Sequence, residues 1–268
     1  HIGGFTMNSY GVMMALAFIC AGFVAYWQFK KRDVKPDFIY GLLIACIIGG
    51  LAGAKIHYLI LHPDAWPENL LSGEGLVWFG GLFGAIVAVV IVTLVSKQRL
   101  AAIMDAGGPA VAVGYAVGRI GCFLRGCDHG TPTDLPWGMT FEQGIPPTTV
   151  PVHPTQLYEM AASLVIFALL VWVIGPRFKR EGPLIFAYAI LAGIERLLVE
   201  FIRTNEAVLW GLTEQQLIAI AMIVVGAAGV WWFETHGRLR PVVAARKPAA
   251  KKPAAKATAS KPGRGSDR

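Results

Sequence analysis

Arginines set among glycines and carboxylates, inside otherwise apolar sequence, are the groups in this chain best suited to chemistry on a phosphate. The segment GYAVGRIGCFLRGCDHGTPTDLPWG places Arg119 between Gly118 and Gly121, with Cys122, Cys127, Asp128, His129 and Gly130 just beyond. A guanidinium is a rigid fork of donors that matches phosphate oxygens. Flanking glycines would let a polar ligand reach that fork and the adjacent backbone N–H groups. The other reading of Arg119 is an arginine whose head snorkels to an interface. Cys122 and Cys127 are either a disulfide, which requires a helix to end near Gly126, or a thiol pair beside Arg119 that acts as nucleophile or acceptor, with His129 close in sequence. Their spacing is atypical of structural zinc, so no metal is expected. No cofactor is expected either, since no nucleotide loop or zinc spacing occurs in the sequence.

Two further segments carry ionisable groups. In AGIERLLVEFIRTNE, Arg196, Glu200 and Arg203 are spaced i, i+4, i+7 and share one helical face. The expectation is that Glu200 orients Arg196 and is not a general base, and that two arginines against one carboxylate leave net positive charge for an anionic ligand. A purely structural ladder of ion pairs is the other reading. In PVHPTQLYEMAAS, His153 and Pro154 read as a helix start. Gln156 and Glu159 follow on neighbouring turns, either as a polar surface at the mouth of a bundle or as groups that favour the helix N-terminus.

These residues must be held by membrane-spanning helices. Hydrophobic residues make up 55% of the chain and charged residues 15%, with mean hydropathy +0.54, which is too apolar for a soluble domain of this length. Stretches long enough to cross a bilayer, roughly 20 apolar residues each, occur at about Ser9–Phe29, Phe38–Leu61, Leu76–Val95, Leu100–Leu124, Thr155–Ile174, Leu184–Phe201 and Gln215–Phe233. The predicted fold is therefore an all-α polytopic membrane bundle of about seven helices. Lys and Arg fall in clusters at Lys30–Lys35, Lys97–Arg99, Arg177–Arg180 and from Arg238 onward, each after an apolar stretch; only Lys55, Arg119, Arg125, Arg196 and Arg203 lie elsewhere. The positive-inside bias puts these clusters in the cytoplasm and the N-terminus outside. The formal charge of +7 then belongs to cytoplasmic flanks and tail, and nucleic acid is not an expected partner. Cations left near the outer half of the bilayer are costly unless partnered, and so mark the active face.

The chain divides into a membrane domain, residues 1–237, and a basic cytoplasmic tail, residues 238–268, whose Lys, Ala and Pro content cannot bury apolar surface and predicts disorder. The tail either serves as a solvating, retention-type charge or is drawn to anionic inner-leaflet lipid. Met7 reads as the native start, with HIGGFT as a remnant, and the first span as its own insertion signal. Cys20 and Cys46 are mid-span and read as packed apolar residues. Small residues at Gly49, Gly50, Ala52, Gly53 and Ala54, and the run WFGGLFG, predict a tight contact between the second and third helices.

From Tyr10 to Phe233 the chain resembles the prolipoprotein diacylglyceryl transferases of bacterial inner membranes, on GRIGCFLRGCDHG, VHPTQLYE, ERLLVEFIR and LTEQQLIAI in the family's order. The resemblance implies a transferase of the bacterial inner membrane, working at its periplasmic face, that moves the diacylglyceryl group of phosphatidylglycerol to the lipobox cysteine thiol of a prolipoprotein. The sulfur attacks the sn-3 carbon and glycerol phosphate leaves. It implies that Arg119 contacts phosphatidylglycerol, that Arg196 and Glu200 are an essential charged pair, and that Tyr10 is the tyrosine beside the first span's glycine. Tyr10, Gly118, Gly121, Gly130, His153, Gln156, Glu159 and Arg203 complete the expected binding set, and Arg196, Glu200, Cys122, Cys127 and His129 the catalytic one. The chain departs from the family's pattern where Phe79 takes the place of a histidine before paired glycines, where Cys122 and Cys127 stand for asparagine and glutamate, and where Val152 stands for an arginine. Those departures leave a second reading, a paralogue on the same fold that acts on another lipid or acceptor through Cys122 or Cys127.

Overall fold

The computed structural model describes residues 9–63 and 77–241. Its elements in order are α1 (Ser9–Lys31), α2 (Phe38–Leu61), α3 (Trp78–Val95), α4 (Leu100–Arg125), α5 (Thr155–Ala168) continued by a π-helical segment (Leu169–Ile174), α6 (Pro183–Glu200), β1 (Ala207–Leu209), β2 (Leu212–Thr213) and α7 (Glu214–His236). The two short strands form an antiparallel hairpin between α6 and α7. The disordered tail is expected from Arg238, but Arg238–Pro241 belong to the bundle: the Glu181 N–H donates to the Arg238 carbonyl and Arg240 pairs with Asp105. The chain beyond Pro241, the leading HIGGFT and Leu76 at the start of the third expected span lie outside the described residues.

Among the described residues, five helices are long and apolar enough to cross a membrane: α1, α2, α4, α5 with its π-helical continuation, and α7. α3 is apolar but shorter, and α6 carries Glu195, Arg196 and Glu200 in its second half. The surface is inverted relative to a water-soluble protein. Phe23, Ile60, Phe83 and Val224 are exposed, while Asp105, Gln156, Glu159 and Glu200 are buried. That is the arrangement expected when lipid is the solvent and polar groups must find partners inside the bundle.

α4 is the central helix. It packs against α1 on one side and against α5 and α6 on the other, while α6 also packs on α7 and α2 on α3. One buried cluster joins Val24, Phe29, Ile39, Leu42 and Ile103, and a second joins Ala112, Ile166, Leu170, Leu184 and Ala187. The expected α2–α3 contact is present. A Cβ at Gly84 would lie 2.2 Å from the Gly49 carbonyl oxygen, so the two backbones meet where no side chain fits. Asp105, which interrupts the apolar run of α4, has its charge accounted for: Oδ2 pairs with Arg240 at 2.9 Å and Oδ1 accepts the Leu184 N–H at 2.8 Å, capping the start of α6.

Candidate active site

The C-terminal end of α4, the first turns of α5 and the last turn of α6 converge on one buried cluster of charge. α4 stops at Gly126, whose φ of 66° is left-handed backbone that glycine adopts without strain. The N–H groups of Gly126 and Cys127 return to the carbonyls of Phe123 and Cys122. This stop turns Asp128 back over the helix end. The loop then crosses α6 so closely that a Cβ at Gly130 would lie 2.5 Å from the Ile202 carbonyl oxygen. Thr155 Oγ1 donates to the Asp128 carbonyl and Gln156 Nε2 to the Cys127 carbonyl, both at 2.5 Å, so the start of α5 fixes the same loop.

Arg119 and Arg196 share one carboxylate. Glu159 Oε1 accepts from Arg119 at 2.8 Å, from Arg196 at 3.2 Å and from the Tyr115 hydroxyl at 3.1 Å, while Tyr115 itself accepts from Arg119 at 2.8 Å. Arg196 pairs with Glu200 at 3.0 Å across one helical turn. Glu200 Oε1 is held in turn by Thr213 and Asn205, each at 2.7 Å. Arg203 and Arg119 then meet on Asp128, which gives Oδ1 to Arg203 at 2.7 Å and Oδ2 to Arg119 at 3.1 Å. The result is a chain of ion pairs, Arg203–Asp128–Arg119–Glu159–Arg196–Glu200. Burial tends to raise the Asp128 carboxyl, but the hydrogen bond and charge of Arg203, with Arg119, outweigh it and hold it below the usual carboxylate range.

The sequence-predicted residues divide into those in this network and those beside it. Arg119, Arg196, Glu200 and Arg203 are in it, and the expected Arg196–Glu200 pairing is formed. Two expectations are corrected. α6 ends at Glu200, so Arg203 leaves the shared helical face and pairs with Asp128, not with Glu200. The expected surplus of positive charge is also absent. Asp128, Glu159 and Glu200 match the three arginines, and Glu195 adds a further buried carboxyl whose Oε1 has no hydrogen-bond partner. Glu159 is not a polar surface at the mouth. It is fully buried and joins the two halves of the site.

Other candidates have structural duties. His129 is buried with Nε2 3.0 Å from the Pro146 carbonyl and Nδ1 3.3 Å from the Gly130 carbonyl, stacked on Phe141. Both ring nitrogens thus lie against loop carbonyls, and His129 is not part of the arginine network. His153 Nδ1 lies 3.3 Å from the Tyr158 hydroxyl, which accepts from Trp137, so it belongs to the loop's packing. Gly118 and Gly121 face α1, toward Met14, Met13 and Tyr10. Tyr10 packs on Gly121, with the Arg125 guanidinium 5.7 Å from its ring centre.

Cys122 and Cys127 are free thiols, so the disulfide alternative is not formed. Cys122 Sγ lies 3.6 Å from Arg119 Nη1. With Asp128 they present ligand atoms within 4.8 Å of one another. Both oxygens of Asp128 are committed to guanidiniums, however, which makes the group a poor host for a cation. Asp128, Tyr115, Thr213, Asn205 and Glu195 were missed as site residues by sequence reasoning. Asp128 and Glu195 had a signal, as acids beside the arginine motifs, whereas Thr213 and Asn205 had none.

The orienting role expected of Glu200 gives a first prediction. Glu200→Gln keeps an oxygen for Thr213 and Asn205 but loses the ion pair. Turnover should fall roughly tenfold, about 1.4 kcal/mol, with the melting temperature nearly kept. Complete loss of turnover in a well-folded variant that still binds lipid would instead make Glu200 a proton carrier.

An apolar helical bundle with a buried arginine–carboxylate chain at one end is the architecture of a polytopic membrane protein. The family model for prolipoprotein diacylglyceryl transferase matches residues 1–232, and the chain belongs to that family. A phosphatidylglycerol–prolipoprotein diacylglyceryl transferase of Finegoldia magna is 33% identical over 230 residues, covering 84% of this chain and 90% of the relative. Those of Clostridium tetani, 31% identical over 83% of this chain and 92% of the relative, and of Thermosynechococcus vestitus, 27% identical over 90% and 94%, are similar to it along nearly their whole length.

Proposed function

We propose that this protein transfers the diacylglyceryl group of phosphatidylglycerol to the cysteine thiol of prolipoproteins. The observation that carries this reading is the meeting of Arg119 and Arg203 on the single carboxylate of Asp128, at 3.1 and 2.7 Å, within a chain of the family. Asp128 is the most exposed carboxylate of the network, with 38% of its side chain accessible. It occupies the position a phosphate would take between two guanidinium forks. The lipid phosphate displaces it, and Arg119 and Arg203 then stabilise the charge that grows on the phosphate as its bond to the sn-3 carbon breaks. The acceptor sulfur forms the new bond to that carbon, and glycerol phosphate leaves with the electron pair. The thiol proton passes to a carboxylate of the site. Because the nucleophile comes from the acceptor, the reaction requires no covalent step at Cys122 or Cys127.

The same reading includes seven spans with the N-terminus outside, so that α3 and α6 cross with the five longer helices and the arginine network faces the periplasm of a bacterial inner membrane. Residues 1–241 are the transferase domain, with Arg240 held by Asp105, and 242–268 a basic cytoplasmic tail. The charge clusters after α1, α3, α5 and α7 support this orientation. The test is transfer of labelled diacylglyceryl from phosphatidylglycerol to a lipobox peptide by the full chain in lipid vesicles, with Asp128→Asn alongside. The variant loses the competing charge but keeps the Asp128 carbonyl that Thr155 and Arg203 hold. Its KM for phosphatidylglycerol should fall about fivefold, roughly 1 kcal/mol, the scale of a partly exposed ion pair. No transfer to the peptide by the unmodified chain would overturn the assignment. A raised KM in Asp128→Asn would overturn the displacement by phosphate alone.

A further inference from the structure

At the opposite end of α4 lies a second cationic site that the transfer reaction does not use. Asp105 and Arg119 stand fourteen positions apart on this helix, about 21 Å of rise. Beside Asp105 there is a cavity of about 210 Å³, lined on one side by Gln28, Arg32 and Arg240 and on the other by Leu170, Val171 and Leu184. The apolar wall includes Leu170 and Val171 of the π-helical segment that continues α5, a distortion that often accompanies ligand sites in helices.

The cations at this cavity are unevenly compensated. Arg240 pairs with Asp105 behind it at 2.9 Å, and Glu181, the one carboxylate of the lining among the described residues, is held by Arg99 at 2.6 Å. Arg32 forms no ion pair among the described residues. Its guanidinium donates to the side chain of Gln28, and its Nε is buried without a partner, as is the Nε of Arg240. Burial pushes the Arg32 guanidinium down to about 10, against the helping charge of Asp105. An arginine so placed retains its charge at neutral pH and gains from any anion that enters.

The geometry points to a second anionic-phospholipid site here, with the phosphodiester against Arg32 and Arg240 and an upper acyl chain leaving past the partly exposed Val171. A free phosphate shares the headgroup chemistry but has no use for the apolar wall. The cavity also lies level with the basic clusters that bound the membrane domain, where leaflet headgroups are dense. Calling that leaflet the cytoplasmic one rests on the orientation proposed above. The site itself does not, and because its test counts bound lipid and not transfer, the two readings fail separately.

The experiment is native mass spectrometry of the delipidated full chain titrated with phosphatidylglycerol, in the unmodified protein and in an Arg119→Ala background that empties the reaction site. One lipid should persist in Arg119→Ala. Adding Arg32→Gln should raise its half-saturation about tenfold, whereas Arg32→Lys should largely keep it. Val171→Trp, which fills the cavity and leaves every charge in place, should also weaken it. Phosphatidylethanolamine should not substitute, and millimolar inorganic phosphate should not displace the lipid. Unchanged binding in both Arg32→Gln and Val171→Trp, with the helical content of each intact, would overturn the site. Displacement by inorganic phosphate would make it an ion site and overturn the lipid assignment.

Discussion

Arg119→Ala is expected to lower diacylglyceryl transfer by about 30- to 1000-fold, and Arg196→Ala to do much the same. A charge-assisted contact made in the transition state contributes roughly 2–4 kcal/mol. The two arginines act differently, and the assay can separate them. Arg119 bridges Asp128 and Glu159, so its loss removes one fork of the phosphate clamp and opens the network at its centre. Arg196 contacts Glu159 and Glu200 and lies one pair removed from Asp128. Its loss acts on kcat, through the placement of Glu159 and hence of Arg119, more than on the KM for phosphatidylglycerol. Arg119→Lys keeps the charge but not the fork and should recover only a small part of the turnover. Near-normal transfer in both alanine variants would remove the clamp from this part of the bundle.

Glu159→Ala is the second change with a large expected effect, and it acts on the fold as well as on the reaction. Glu159 is fully buried, and its Oε1 receives Arg119, Arg196 and Tyr115 together. Without it, two guanidiniums stand in the bundle with their shared counter-charge gone. Breaking a buried ion pair by removing one partner costs about 3–5 kcal/mol. The variant should melt well below the unmodified protein in detergent and lose nearly all transfer. Glu159→Gln preserves the shape and an acceptor for Tyr115 but not the charge. It should recover much of the stability and little of the activity, because Arg119 and Arg196 would then be drawn more strongly to Asp128 and Glu200. If Glu159→Ala melted normally and kept its transfer, Glu159 would not be the hinge between the two halves of the site.

Much of the architecture was legible in the amino-acid order. Apolar run length and the basic clusters decide where helices lie in a bilayer, and both are local properties of the chain. The helix bounds observed for α1, α2 and α7 fall within a few residues of the apolar runs that predict them. The glycines at Gly49 and Gly84 announced a close helix contact, because only absent side chains permit one. Arg119, Arg196 and Glu200 stood out because charge in apolar sequence is costly, and the i, i+4 spacing already paired the latter two.

What the sequence could not supply is how those charges are balanced, since balance is set by groups far apart in the chain. Glu159 lies 40 positions from Arg119 and 37 from Arg196, and only the convergence of α4, α5 and α6 makes it their common partner. Arg203 read as the third member of a helical ladder, but α6 ends at Glu200 and frees it to reach Asp128, 75 positions away. His129 read as a site residue by its neighbours, yet past the turn at Gly126 it is buried against Phe141, while Asp128 meets Arg119 and Arg203. Residue types and local spacing determined that this protein would hold arginines in a membrane bundle. Only the tertiary structure decided which carboxylates neutralise them and left Asp128 the most exposed of the three.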